Sequence, residues 1–320
     1  METSIIFITA AFFSFFISYL LASFEIYPFF RFFYVFAWYS YIFFIDGINY
    51  LIKNDSLIIS RTKEFVYMLF VSCGMWFFFE IFNVSLSSWE YSLVPFDVTE
   101  RYIFYLLLFS SILPAIFETE ELIESSGLFR KVRININLKF NEKHIRRYII
   151  FGIFIALLSI SLPSIFFPLI WISLVFIFEP LNYKLGTRSL IRESLKGRIE
   201  KLLSISLAGV IYGMLWDIWG IKAGTKLIYT LPYLNLFKIF NTPVLSYIFF
   251  ILFALGSYSM YNAFSYFKRG ISWEYDSQTQ ISDIKRYKYF YPIVLIIIVV
   301  VFFIAVRLID KYTVRLFTLI

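Results

Sequence analysis

The chain has 320 residues, 60% of them hydrophobic and 23% aromatic, with only 16% charged, a formal net charge of +7 and a mean hydropathy of +0.76. A soluble domain carries about 25% charged residues, so this composition excludes a soluble globular protein and describes an integral membrane one. Apolar runs near the roughly 20 residues that a helix needs to cross a bilayer recur along the chain, whereas a β-barrel would show alternating segments of about 10. The fold class is therefore all-α, a polytopic membrane bundle of about nine transmembrane helices.

The first run, 4–23, has no basic leader and no small-residue cleavage site before Glu25, and reads as a retained helix. The second, 32–51, ends in "IDGINY", where Asp46 and Asn49 share a face. The third, 65–83, holds the only cysteine, Cys73, which excludes an intrachain disulfide and reads as packing. Ser72, Trp76 and Glu80 form a stripe on it, with Asn83 one turn beyond the acid. "SSWEYSLVP" at 87–95, carrying Trp89 and Tyr91, is too short and polar to be a span.

The fourth span, 101–122, runs into "ETEELIE" at 118–124, read as salt-bridging at a solvated helix end in preference to a cation site. The fifth and sixth, 148–162 and 164–181, lead to Glu179, Pro180 and Asn182, with Pro180 expected to stop the helix. In the seventh, 202–220, Gly209, Gly213 and Asp217 follow at i+4, so that small residues permitting close helix contact share a face with the acid. Trp216 precedes that acid, and "AGTKLIYTLP" at 223–232 brings Lys226 and Tyr229. Spans eight and nine cover 243–266 and 290–309, and no span is plainly broken at mid-membrane by Gly or Pro.

The loops after spans two, four, six and eight hold 21 of the 29 basic residues. That excess places them and the N-terminus in the cytoplasm and the C-terminus outside, in a cell membrane. Clusters such as "RKVR" and "KHIRR" then answer to anionic headgroups, so membrane lipids are the expected partners of the basic surface and nucleic acid is not.

An ungapped alignment of 38–58 with 171–191 gives eight identities in 21 positions: Trp38/Trp171, Ser40/Ser173, Phe43/Phe176, Asn49/Asn182, Tyr50/Tyr183, Ser56/Ser189, Leu57/Leu190 and Ile58/Ile191, with Asp46 opposite Glu179. With a small shift, "FFFEIFN" meets "LWDIWG", pairing Glu80 with Asp217, and "YSLVP" meets "YTLP". The expected organisation is a tandem 4+4 repeat: a first four-helix unit at 1–125, a cytoplasmic basic linker at 126–147, a second unit at 148–268, and a loop with a ninth helix at 269–320. Four spans per copy is an even number, which relates the copies by a pseudo-twofold axis near the membrane normal.

Asp46, Asn49, Glu179 and Asn182 are expected to be structural, holding the basic loops after spans two and six. Glu80 and Asp217 fall near the outer third of the membrane, where a charge costs a few kcal/mol and calls for compensation. Both are expected to face the bundle interior as proton donors or polar anchors, the catalytic pair, with Asn83, Trp89, Tyr91, Trp216, Lys226 and Tyr229 as the ligand-binding set. Lys226 is an expected ion-pair partner of Asp217 or Glu80, and Asn83 an expected hydrogen-bond partner of Glu80. The two aromatic segments are either interfacial or re-entrant elements folding over the acids, or an ordinary aromatic belt; equally, the acids can serve only to fix helix register. With His144 as the sole histidine, no P-loop and no aspartate-rich diphosphate motif, no metal and no cofactor is expected.

The run "WDIWGIKAGTKLIYTLP" at 216–232, followed by "NTPVLSYIFF" at 241–250, resembles the lycopene cyclase domain of bacterial and fungal carotenoid synthesis. Those small multi-span proteins, built from paired three- or four-helix units, carry a Trp-Asp at a helix end, an aromatic segment, and Pro-Leu-Glu-Glu followed by phenylalanines. Trp216, Asp217, Tyr229, Pro243, Phe249 and Phe250 stand in those places, while Val244 to Ser246 occupy the position of the glutamate pair. The resemblance, over about 35 residues, implies a related scaffold and a lipophilic ligand. Three functions stay open: binding or modifying a lipid-like or isoprenoid small molecule, proton-coupled transport, or a non-catalytic role beside partner membrane subunits.

Overall fold

In lipid every backbone N–H must find its acceptor inside the chain, so long apolar runs become helices. The computed structural model describes residues 2–135, 139–230, 238–239, 242–268, 270–274 and 290–317. Within them lie α1 (Glu2–Ser23), α2 (Phe33–Lys53), α3 (Thr62–Leu86), α4 (Val98–Ser110), α5 (Ile112–Ser125), α6 (Glu142–Ser161), α7 (Pro163–Phe166), α8 (Leu169–Leu185), α9 (Leu190–Leu195), α10 (Glu200–Lys222), α11 (Val244–Ser265) and α12 (Phe290–Leu308). Counting α4 and α5 as one segment, eight are long and apolar enough to cross a membrane. With the 17-residue α8 they occupy the nine expected positions, and the chain is a multi-pass membrane protein with an all-α bundle.

α1, α6 and α12 are mostly exposed and turn rows such as Phe12, Phe13 and Phe16, or Ile296, Val300 and Phe303, outward, whereas α4–α5 is largely enclosed. α1 lies along α2, and α6 along α8 in the same manner; α8 and α10 both pack on α11, and α5 is flanked by α2 and α10. Trp38 on α2 meets Tyr212 at 4.5 Å and Trp219 at 4.3 Å between ring centroids on α10, and Trp171 on α8 meets Phe79 of α3 at 4.6 Å. The matched tryptophans thus join each part of the chain to the other.

Two helix boundaries differ from expectation. The fourth span is broken: Pro114 has no N–H for the carbonyl of Ser110 and its ring crowds that turn, so the chain bends at Ser111. Ser72 of α3 mends the break, its hydroxyl donating to the Phe109 carbonyl at 2.6 Å and accepting from the Leu113 amide at 3.1 Å. Conversely, α8 runs through Pro180 and ends only at Gly186, whose φ of 79° is the left-handed conformation that glycine adopts freely. Pro180 does not stop it because the flanking residues are pinned to α11: Asn182 Nδ2 donates to the Ser259 carbonyl at 2.8 Å, and the Ser259 hydroxyl lies 2.9 Å from Glu179 Oε1.

The aromatic segments after α3 and α10 are extended, not helical. They are strands β1 (Trp89–Val94) and β2 (Lys226–Tyr229), paired antiparallel with Trp89 opposite Tyr229 and Ser92 opposite Lys226. Beyond the two-residue strands β3 (Lys238–Ile239) and β4 (Thr242–Pro243), a further strand, β5 (Val314–Phe317), follows α12 and joins β1 in parallel. The sheet, ordered β2-β1-β5, closes one end of the bundle; the basic loops lie at the other.

Candidate functional site

Beneath the sheet, the last turns of α3 and α10 carry the two acids. Ser87, left-handed with φ 47°, ends α3, and Asn83 then folds the chain back. Its Oδ1 accepts from the amides of Ser88 (2.9 Å) and Trp89 (3.4 Å), and its Nδ2 donates to the Trp89 carbonyl (2.9 Å). Asn83 is therefore spent on backbone and does not bond Glu80, contrary to expectation. What it does is bring Trp89 and Tyr91 over the acid.

Glu80 is fully buried. Its Oε1 accepts from the Tyr91 hydroxyl at 2.6 Å, Trp76 Nε1 at 2.8 Å and Trp89 Nε1 at 3.0 Å, while its buried Oε2 has no hydrogen-bond partner. Burial, and then Glu80, pushes the Tyr91 hydroxyl well above its usual value, so it stays a donor. Asp217 is 5% exposed and accepts from the Tyr247 hydroxyl at 2.6 Å. Glu80 and Asp217 share this end of the bundle without touching, since the hydrogen bonds of Glu80 come from α3 and β1.

Lys226 pairs with neither acid. Its ammonium donates to the carbonyls of Gly220 and Ile221, which at the C-terminus of α10 lack helical donors and carry the negative end of the helix dipole. Burial pushes Lys226 below its ordinary value.

Trp76 and Trp89 from beside Glu80, and Trp216 and Tyr229 from beside Asp217, line one cavity of ≈ 60 Å³, room for a few waters or a small ligand group. Phe167, Trp171, Phe249 and Phe250 complete much of its wall; neither acid lines it, and Glu80 reaches it only through its bonds to the lining side chains Trp76 and Trp89. Trp216 is fixed by stacking on Tyr34 at 4.7 Å, whose hydroxyl reaches its carbonyl. A larger apolar crevice of ≈ 470 Å³ lies between α3, α6, α8, α11 and α12. Phe79 divides the two spaces: it lines the crevice, and its ring is 4.6 Å from Trp171 and 6.4 Å from Trp76 in the cavity wall. Trp89, Tyr91, Trp216 and Tyr229 were all marked by sequence; Tyr247 and the crevice were not. Tyr247 lies in an even apolar run, and the crevice is a property of five helices together.

At the other end, Asp46 accepts from the Ser56 hydroxyl (3.0 Å) and the Ile58 amide (2.6 Å), and Glu179 from the Ser189 hydroxyl (3.0 Å) and the Ile191 amide (3.2 Å). Asp46 and Glu179 bond the loops that follow them through hydroxyls and amides instead of basic side chains, and Asn182 accepts from Thr187 in its loop, whereas Asn49 bonds Glu118 of α5 and not a loop. "ETEELIE" is not at a solvated helix end: Glu118, Glu120 and Glu121 are buried. Countercharge delivered from α2, its following loop and α10 keeps Glu120 and Glu121 inside, with Lys53 and Arg61 on Glu121 and Lys201 on Glu120, Glu124 and Glu274, while Glu118 is met by the Asn49 amide. Oxygens of Glu120, Glu124 and Glu274 come close enough to hold a metal ion, but the Lys201 ammonium already bonds all three. Compared with known proteins, the chain matches no family model, no curated sequence and no solved structure.

Proposed function

We propose that the protein binds or modifies a lipid-like or isoprenoid molecule in an intramembrane cleft that opens on the outer side, with Glu80 as the proton donor or polar anchor and Asp217 as its counterpart from a second copy of the same four-helix unit. The observation that carries this reading is the state of Glu80. One carboxyl oxygen is saturated by three aromatic donors and the other, buried, has none, so the group is rigidly aimed and still has a polar contact to make. Beside it lies a largely apolar, aromatic-lined cavity, and beyond Phe79 a crevice of ≈ 470 Å³ suited to an apolar tail. The resemblance to the lycopene cyclase domain points the same way, since Trp216, Tyr229, Phe249 and Phe250 line that cavity. The excess of basic residues at the opposite end supports the outward orientation.

Glu80→Gln and Asp217→Asn, expressed at normal levels, should each change the lipid and pigment extract of the membranes or release a co-purifying apolar species detected by native mass spectrometry. Extracts identical to wild type from both variants would refute the reading. A second reading, a proton-coupled carrier, is favoured by one observation, the interrupted helix at Ser111, because broken spans mark the binding sites of such carriers. Cysteine probes at positions 83 and 220 would change labelling side with pH in a carrier and keep it in a fixed cleft.

A further inference from the structure

At the end opposite the sheet, two parts of the chain make similar hydrogen bonds with two differences: the group that meets the acid, and the asparagine oxygen, which in Asn182 accepts from the Thr187 hydroxyl at 3.0 Å and in Asn49 has no partner. In the later one, Glu179 accepts from Ser189 and Ile191, Asn182 donates to the carbonyl of Ser259 at 2.8 Å, and the Ser259 hydroxyl lies 2.9 Å from Glu179 Oε1. In the earlier one, Asp46 accepts from Ser56 and Ile58, and Asn49 donates to the carbonyl of Glu118 at 3.1 Å. Here the side chain meeting the acid is Glu118 itself, within hydrogen-bonding range. A serine hydroxyl can donate to a carboxylate; another carboxylate cannot.

Glu118 and Asn49 are both fully buried. Glu118 Oε2 accepts from Asn49 Nδ2 at 2.7 Å, whereas Glu118 Oε1 and Asn49 Oδ1, of the amide held against it, have no partner. The charged and titratable groups on the surrounding elements are engaged elsewhere. On α2, Lys53 bonds Glu121 and Tyr41 bonds Thr119. In the following loop, Arg61 bonds Glu121 and the half-exposed Asp55. On α10, Lys201 bonds Glu120, Glu124 and Glu274.

Two carboxyl groups in contact inside a protein repel unless positive charge lies between them. The unpartnered atoms are oxygens, acceptors without donors; a neutral donor would pair with them, but only a cation also offsets the repulsion between the two carboxyls, and an all-oxygen set suits a hard one. Lys53 and Arg61 spend their charge on Glu121 and Asp55, so the contact between Asp46 and Glu118 has no basic partner of its own, and one cation between the two carboxyls relieves their repulsion.

We infer that Asp46, Asn49 and Glu118 form a binding site for one small monovalent cation, H⁺ or Na⁺, at the basic-loop end of the bundle. This site is separate from the Glu80 cleft and does not depend on it. The test uses the full chain in lipid nanodiscs with two variants, Glu118→Ser, which copies the Ser259 arrangement, and Glu118→Gln, which keeps the shape and can donate to Asp46. If the cation is a proton, infrared spectra at neutral pH show a neutral-carboxyl band in the wild type that both variants lack; bands from other carboxyls are common to all three proteins. If it is sodium, the wild type shows saturable radiosodium binding, displaced by NaCl and not by choline chloride, and the variants lose it. Should the serine variant fail to fold, the glutamine variant is read alone. A wild type with neither signal, or variants that keep whichever signal the wild type shows, overturns the inference.

Discussion

Gly209 is where the sheet end and the rest of the bundle depend most on one missing side chain. A Cβ added there would lie 2.6 Å from the carbonyl oxygen of Phe250 and 2.9 Å from Ala254 Cβ. Backbone cannot swing aside, so restoring a contact of 3.4 Å requires α10 and α11 to separate locally by about 0.8 Å (3.4 minus 2.6). The same shift carried to the Tyr247–Asp217 bond lengthens it from 2.6 Å to beyond a useful hydrogen bond. Overpacking of this kind costs about 1–3 kcal/mol, and the lost hydrogen bond adds about 1 kcal/mol. Gly209→Ala is therefore expected to be destabilised by about 2–4 kcal/mol, read from reversible unfolding in mixed detergent micelles. The control is Met214→Ala on the exposed face of the same helix, expected within about 0.5 kcal/mol of wild type. A Gly209→Ala protein as stable as that control would refute the close-contact reasoning.

Ser72→Ala removes the donor to Phe109 and the acceptor for Leu113, leaving two buried backbone groups unpaired; a loss of about 2–4 kcal/mol is expected in the same unfolding measurement. Arg101, 5% exposed, holds Asp310 through two bonds of 2.9 and 2.8 Å. Because Asp310 is partly solvated, Arg101→Gln should cost only about 1–2 kcal/mol and should speed proteolysis within β5. Burial works to raise the Glu274 carboxyl, yet the Lys201 ammonium and the Arg188 guanidinium outweigh it and hold the group below the usual carboxylate range. Its contribution to stability is thus present above the ordinary value near 4.3 and is lost as pH falls through the lowered one. Thermal scans from pH 7 to pH 3 should show that acid-side loss in the wild type and a smaller one in Glu274→Gln.

The helices were legible because lipid leaves an apolar run only one conformation, and the loop acids because the repeated "NY…SLI" phrase sets Asp46 and Glu179 in equal surroundings. The Gly209–Gly213–Asp217 stripe was legible through its i+4 spacing, and both glycines do face Phe250. Pro114 and Pro180 misled in opposite directions, since whether a proline breaks a helix depends on what receives the freed carbonyl and what pins the flanks, which are tertiary facts. Lys226 and Asn83 misled because, for a lone charge or amide, unsatisfied backbone at a helix end competes with a distant carboxylate. The burial of "ETEELIE" was hidden for a related reason: its countercharges, Lys53, Arg61 and Lys201, come from remote parts of the sequence and not from the adjacent basic linker.

β1 is the middle strand of its sheet, yet one of its two neighbours, β5, starts 220 residues after β1 ends (314 minus 94). During biosynthesis that flank of β1 has no native mate until those further residues, α12 included, have left the ribosome and entered the bilayer. Sealing the roof above Glu80 therefore waits on α12, and a nascent chain halted before that helix would carry an unfinished pocket with a bare strand ready to recruit the wrong neighbour.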